Sequence, residues 1–159
     1  MAETTELRTA EDTLAFGRAL GEVLRAGDLV LLAGPLGAGK TVLAKGIAAG
    51  LGVLGRVSSP TFVIAREHRA GQRGIPMVHV DAYRLGGDLA ELDDLDLDSE
   101  LVESVVVVEW GEGSANRLSE DHLLIRLDRR PDDSRLATIE PHGDWAERSA
   151  WAPLSQSRA

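Results

Sequence analysis

Residues 34–41 read Gly-Pro-Leu-Gly-Ala-Gly-Lys-Thr, between the apolar run Leu29–Ala33 (LVLLA) and a stretch from Lys40 to Leu51 with helical character. A strand, a glycine-rich turn closing on Gly-Lys-Thr, and a helix form the setting in which such a loop cradles phosphate. Glycines let successive backbone N–H groups point inward, and the following helix adds the positive end of its dipole. Lys40 is then placed to reach the β- and γ-phosphates of a nucleoside triphosphate, with its side chain exposed at the loop. The Thr41 hydroxyl is placed to ligate Mg2+. Of the 17 basic residues only Lys40 and Lys45 are lysines. A lysine at position 40 of so arginine-rich a chain suggests a site that needs the compact ammonium.

Working outward, residues 9–26 have the apolar spacing of a helix (Leu14, Phe16, Leu20, Val23, Leu24), with Thr9 as cap and Asp12 three residues on. The all-apolar LVLLA suits a strand buried on both faces. The helix from Lys40 stops at Gly50 and Gly52. Beyond it the pattern predicts strands over Thr61 to Arg69, Ile75 to Ala82, Ser104 to Glu109, His122 to Leu127 and Arg135 to Glu140. Turns are expected at Gly71 to Gly74 and at Pro131 to Ser134, and the acidic stretch 88–103 reads as short solvated helices. The reading is α/β, a single P-loop NTPase domain in three layers, its mixed central sheet a parallel core with antiparallel additions. The domain is expected to span residues 1–143, with 144–159 as a tail that forms a short helix around Trp145 or frays.

Composition bounds the function classes. The chain has 159 residues, 43% hydrophobic and 27% charged, and no cysteine, so disulfides, thiol catalysis and thiolate metal sites are excluded. No apolar run approaches the roughly 20 residues of a membrane span, and Met1 to Thr9 lacks the pattern of a signal peptide. A cytoplasmic protein with no membrane role is expected. The formal net charge of −9 opposes unaided binding of nucleic acid, so any RNA work would pass through a partner.

A phosphate loop alone hydrolyses nothing; phosphoryl transfer also needs an acid near the metal and a group that places the attacking water. Asp81 (VHVDAYRL) and Glu109 (VVVVEW) end two apolar strands, where an open α/β sheet presents residues to its ligand. One would hold Mg2+ and the other would orient the nucleophile or a switch. Thr61, in Ser58-Ser59-Pro60-Thr61-Phe62, is either a switch threonine sensing γ-phosphate and metal or part of a plain loop. His68, His79, His122 and His142 have no metal-ligand spacing and are read as structural. Trp110 is read as packing or as a cover over the site, and Arg84 as a phosphate-reaching cation or a partner of the acidic stretch.

In order along the chain, GDLVLLAGPLGAGKT, VSSPTF, VHVDAYRL and VVVVEWGE resemble the TsaE (YjeE) family, over about Thr9 to Glu140. That resemblance implies a small bacterial P-loop ATPase that helps install threonylcarbamoyl on adenosine in tRNA. It implies binding of ATP and Mg2+ and action on TsaB- and TsaD-like partners, with tRNA engaged only through them. Gly34, Leu36, Gly37, Ala38, Gly39, Lys40, Thr41 and Val42 would then contact the nucleotide, with Thr9 and Arg135 as further contacts. Thr61 would belong to a switch, Lys40, Asp81 and Glu109 would support hydrolysis, and Glu109 would also ligate metal with Thr41. Two departures stand out. Val42 replaces a usual Thr or Ser, and Ala82 replaces a large apolar residue.

Two other functions fit parts of this pattern. A small metabolite kinase needs an acceptor site and an arginine-rich lid, for which Arg126, Arg129 and Arg130 are the candidates. A nucleotide-gated binding module would bind without appreciable hydrolysis. The absence of a guanine-reading Asn-Lys-x-Asp pattern favours ATP over GTP.

Overall fold

A computed structural model of the chain describes residues 3–34, 39–53, 65–71, 74–81, 103–110, 122–143 and 145. They form a seven-stranded sheet and two helices: β1 (Glu3–Leu7), α1 (Ala10–Val23), β2 (Leu29–Ala33), α2 (Lys40–Leu51), β3 (Ala65–His68), β4 (Met77–Asp81), β5 (Val105–Trp110), β6 (His122–Arg129) and β7 (Arg135–His142). The strand order is β1-β7-β6-β2-β5-β4-β3. Strands β4, β5, β2 and β6 run parallel; at one side β7 pairs antiparallel with both β6 and β1, and at the other β3 pairs antiparallel with β4. The expected mixed α/β sheet with a parallel core is therefore what the chain forms.

Strands β2 and β5 form because every residue in them but Glu109 is apolar and, in β5, mostly β-branched, which suits a pleated surface covered on both sides. Val30, Leu32, Val105, Val107 and Met77 join the core cluster with Phe16 and Leu20 of α1 and Leu43, Ile47 and Leu51 of α2. Their strand neighbours Leu29, Leu31, Val78, Val80, Val106 and Val108 face the other way and are buried as well. Each fully buried Leu or Val contributes about 1.5–3 kcal/mol, which is why these four strands organise the rest.

Helix α1 begins at a reciprocal capping box: the Thr9 Oγ1 accepts from the Asp12 amide at 3.1 Å, and the Asp12 carboxylate accepts from the Thr9 amide at 3.2 Å. The two helices meet on glycine. A Cβ at Gly17 would sit 2.5 Å from the Leu43 carbonyl oxygen, and one at Gly46 would sit 2.4 Å from that of Leu14. Gly21 and Gly50, one turn on, are equally closed. The backbones of α1 and α2 thus touch without side chains between them.

Several expectations need correction. Leu14 is 42% exposed; the buried stripe of α1 is Thr13, Phe16, Gly17, Leu20 and Gly21, since glycine instead of leucine faces α2. The helix ends at Val23, several residues before Gly27. Strand β1 escaped the sequence reading because its inward positions are Thr5 and Leu7, a weak alternation that becomes a strand only by pairing with β7. The hairpin strands β6 and β7 run further than their apolar cores, to Arg129 and His142, since pairing across the turn extends them. Trp145, placed in the tail, is buried in the core cluster. Thr61 to Ile64, Ala82 and residues 88–102 lie outside the described residues.

The glycine contact yields a test. Gly46→Ala should lower stability by about 1–3 kcal/mol, the cost typical of overpacking, even though alanine gains about 1 kcal/mol in helix preference. A urea midpoint equal to or above that of the unsubstituted protein contradicts the close helix contact.

Candidate nucleotide and metal site

The loop between β2 and α2 is anchored at both ends by glycine in conformations that other residues seldom adopt. Gly34 has φ 141°, and Gly39, the N-cap of α2, has φ 104°. Gly39 offers no side chain to cap the helix, in contrast with the capped start of α1. Leu36, Gly37 and Ala38 lie outside the described residues. Lys40 is not exposed as expected. It is 6% exposed, and its Nζ donates to the Gly34 carbonyl oxygen at 2.6 Å, bracing one end of the loop against the other.

On one side of the α2 N-terminus stand the ends of β4 and β5. Strand pairing puts Asp81 beside Glu109 and Glu109 beside Leu32, at the C-terminal ends of three adjacent parallel strands. The Thr41 hydroxyl lies 3.0 and 3.2 Å from the two oxygens of Glu109. Glu109 is 5% exposed, and its Oε2 is also held at 2.5 Å by Nε2 of His79. His79 is a site residue that the sequence reading passed over as structural. The signal was in the strand period: residues 79 and 81 share a face of β4, so a strand that presents Asp81 also presents His79.

Oxygen donors in this arrangement suit a small hard cation. Mg2+ takes one or two protein oxygens and fills its remaining positions with substrate phosphate and water. Thr41 and Glu109 fit that pattern. Among the described residues no group of three or more His, Asp or Glu side chains is placed to hold a metal ion.

On the other side of the same helix start lies a pocket of about 170 Å3 whose lining includes Thr9, Thr13, Gly39, Val42, Asp133 and Arg135. Four of the expected nucleotide contacts, Thr9, Gly39, Val42 and Arg135, are thus brought together from α1, the loop, α2 and β7. Arg135 is held in place by the β6–β7 turn, its Nη1 donating to the Asp133 carbonyl oxygen at 2.6 Å and lying 3.6 Å from the Asp133 carboxylate. Asp133 takes a left-handed φ of 71°. The hydrogen bond from Arg129, then the charges of Arg129 and Arg135, hold its carboxyl below the usual range. Ser134, through its hydroxyl and then its amide, does the same for Asp132. A lowered carboxyl stabilises the fold above its ordinary value and loses that contribution only as pH falls through the lowered one.

The candidate lid arginines are committed elsewhere. Arg126 faces Glu140 at 3.8 Å and Arg129 faces Asp133 at 2.7 Å within the hairpin, and Arg130 at its turn faces Glu6 of β1 at 3.2 Å. His122 and His142 stack with ring centroids 4.4 Å apart, and His68 is buried on β3. Thr61 and Arg84 lie outside the described residues, as do the side chains of Asp81 and Trp110.

With that geometry in view, the comparison with known proteins is decisive. The model of the family described as "Threonylcarbamoyl adenosine biosynthesis protein TsaE" matches residues 7–137. The chain belongs to the TsaE family. It is similar to the tRNA threonylcarbamoyladenosine biosynthesis protein TsaE of Mycobacterium tuberculosis, 59% identical over 85% of this chain and 84% of that one. The protein of that name from Streptomyces coelicolor is 56% identical over 82% of this chain and 91% of its own length, and that from Bacillus subtilis is 37% identical over 84% and 82%. The crystal structure of Bacillus subtilis YdiB superposes with a TM-score of 0.74 at 29% identity, covering 100% of this chain and 99% of that one. The span matched by the TsaE model runs from the end of β1 into β7, so it includes both the carboxylate side and the pocket side of the α2 N-terminus.

The buried brace predicts a two-part effect. Lys40→Ala should cost about 0.5–1.5 kcal/mol of stability through the lost hydrogen bond to Gly34, while nucleotide binding measured by calorimetry falls below detection. Retained nucleotide affinity in a folded Lys40→Ala protein contradicts the assignment of the loop.

Proposed function

We propose that this TsaE-family chain binds MgATP at residues 34–41 and hydrolyses it, serving threonylcarbamoyl modification of adenosine in tRNA. The observation that carries the reading is the Thr41 hydroxyl on the Glu109 carboxylate, at 3.0 and 3.2 Å across 68 residues of sequence. A phosphate loop whose magnesium threonine is already matched to a strand-end acid is equipped for phosphoryl chemistry as well as for holding phosphate.

In this reading Lys40 exchanges its contact with Gly34 for the β- and γ-phosphates, and the backbone N–H groups of the loop and of the α2 start bind their oxygens. Thr41 and Glu109 hold Mg2+, which when bound neutralises charge gathering on the transferred phosphoryl group. Asp81, one strand over from Glu109, orients the attacking water. Thr9, Val42 and Arg135 receive the nucleoside portion in the pocket on the other side, with Arg135 kept in place by Asp133. Thr61 acts in a switch segment that senses γ-phosphate. The work is cytoplasmic, and among the described residues no helix is long and apolar enough to cross a membrane. TsaB- and TsaD-like proteins are the partners, with tRNA reached through them, in keeping with the net charge of −9.

The pairing of Arg126, Arg129 and Arg130 on the hairpin favours hydrolysis over the metabolite-kinase reading, which needs such side chains on a closing lid. Phosphate release to water, with no acceptor present, is the direct assay. Glu109→Ala and Asp81→Ala should each lower it by about 100-fold, equivalent to about 2.7 kcal/mol of barrier. Strict dependence on an added acceptor would favour the kinase. Unchanged release in both variants, with ATP-dependent capture of the TsaB- and TsaD-like proteins retained, would favour a nucleotide-gated binding module.

A further inference from the structure

We infer that His79 is a positioning residue for the cation, fixing the Glu109 carboxylate so that Oε1 is presented to the metal while Oε2 is held back. The inference rests on the reading of Glu109 as a Mg2+ ligand and adds a residue to it. The imidazole is fully buried, and its Nε2 lies 2.5 Å from Glu109 Oε2. Its other nitrogen, Nδ1, is also buried and finds no hydrogen-bond partner among the described residues. Burying an imidazole with one nitrogen unsatisfied is unfavourable, and the contact with Glu109 is its only polar tie among the described residues. An ionised carboxylate only accepts hydrogen bonds, so Nε2 is the donor, and the ring's hydrogen-bonding capacity is directed at this one oxygen.

Register explains how the contact arises. Residue 79 pairs with Val107 and Asp81 with Glu109 on parallel β4 and β5. His79 therefore sits one strand over and two residues back from the acid, on the sheet face that carries α2. Among the described residues Glu109 has two side-chain tethers: the Thr41 hydroxyl lies 3.0 Å from Oε1 and 3.2 Å from Oε2, while His79 contacts Oε2 alone. A cation bound through a lone pair of the Thr41 oxygen would leave that hydroxyl's proton for either carboxylate oxygen, whereas the His79 contact is made to Oε2 alone. A donor behind a metal-binding carboxylate orients it, and loss of such a partner typically costs 10- to 100-fold in metal affinity or activity.

The test compares His79→Leu, which keeps volume without a donor, with His79→Gln, which keeps an N–H at similar reach. Fluorescent ATP-analogue binding is titrated with Mg2+ and repeated in EDTA, and melting curves establish that each variant is folded. His79→Leu should raise the Mg2+ concentration for half-maximal binding by about 10- to 100-fold, leave binding in EDTA unchanged, and be largely rescued in His79→Gln. His79→Met is read in place of His79→Leu should the latter be unfolded at the assay temperature. An unchanged Mg2+ requirement in a folded donor-less variant overturns the inference, and so does an equal loss of binding in EDTA, which marks a structural role. Glu109→Gln separates the two layers. If it too leaves the Mg2+ requirement unchanged, the reading of Glu109 as a metal ligand fails and the inference falls with it. If Glu109→Gln raises the requirement while His79→Leu does not, only the inference fails.

Discussion

Thr41 and Glu109 are 68 residues apart in sequence, yet the hydroxyl of one lies 3.0 Å from the carboxylate of the other. That meeting depends on the parallel pairing of β2 with β5, in which Leu32 stands opposite Glu109 and Ala33 opposite Trp110. Sliding the register by one residue would turn Glu109 to the far face of the sheet, because side chains alternate with a strict period of two. The run of valines in β5 and of leucines in β2 fixes which faces are buried, and the core so formed holds the register. The chemistry at the rim is therefore set by packing in the middle of the sheet.

Two further constraints converge on the same helix start. Gly39, in a left-handed conformation, turns the chain into α2 so that Thr41 faces β5 while Gly39 and Val42 face β7. The glycine contacts of α1 with α2 bring the capped start of α1, at Thr9, against the opposite flank. Sheet order does the rest. With β5 and β4 on one side of β2 and β6 and β7 on the other, a single helix N-terminus has the Glu109 carboxylate on one hand and a pocket lined in part by Arg135 on the other. In the proposed reading a charged metal site and a nucleoside pocket need different surroundings, and the sheet order about β2 would supply them from different strands.

Much of this was legible in the residues. The loop, the bounds of α2 and the buried strands β2 and β5 follow from glycine placement and apolar runs, which act locally. Both strand-end acids could be named because a carboxylate closing a run of valines is conspicuous. Strand β1, the burial of Lys40 and the outward turn of Leu14 were not legible, since each is decided by a neighbour distant in sequence: β7, the Gly34 carbonyl and the glycines of α2. His79 lies between these cases. Its spacing from Asp81 was visible, but its meaning depended on which strand stood beside β4.

The central claim is that the loop, Thr41 and Glu109 together form one site for nucleotide and magnesium. The most direct measurement is the melting temperature of the intact protein with ATP and Mg2+, and with ATP and EDTA. A ligand that binds only the folded state raises stability by RT ln(1 + [L]/Kd), about 2.7 kcal/mol at a hundredfold excess over Kd. The account predicts a clear rise with MgATP and a smaller one when the cation is removed. No rise with either, at millimolar nucleotide, would contradict it.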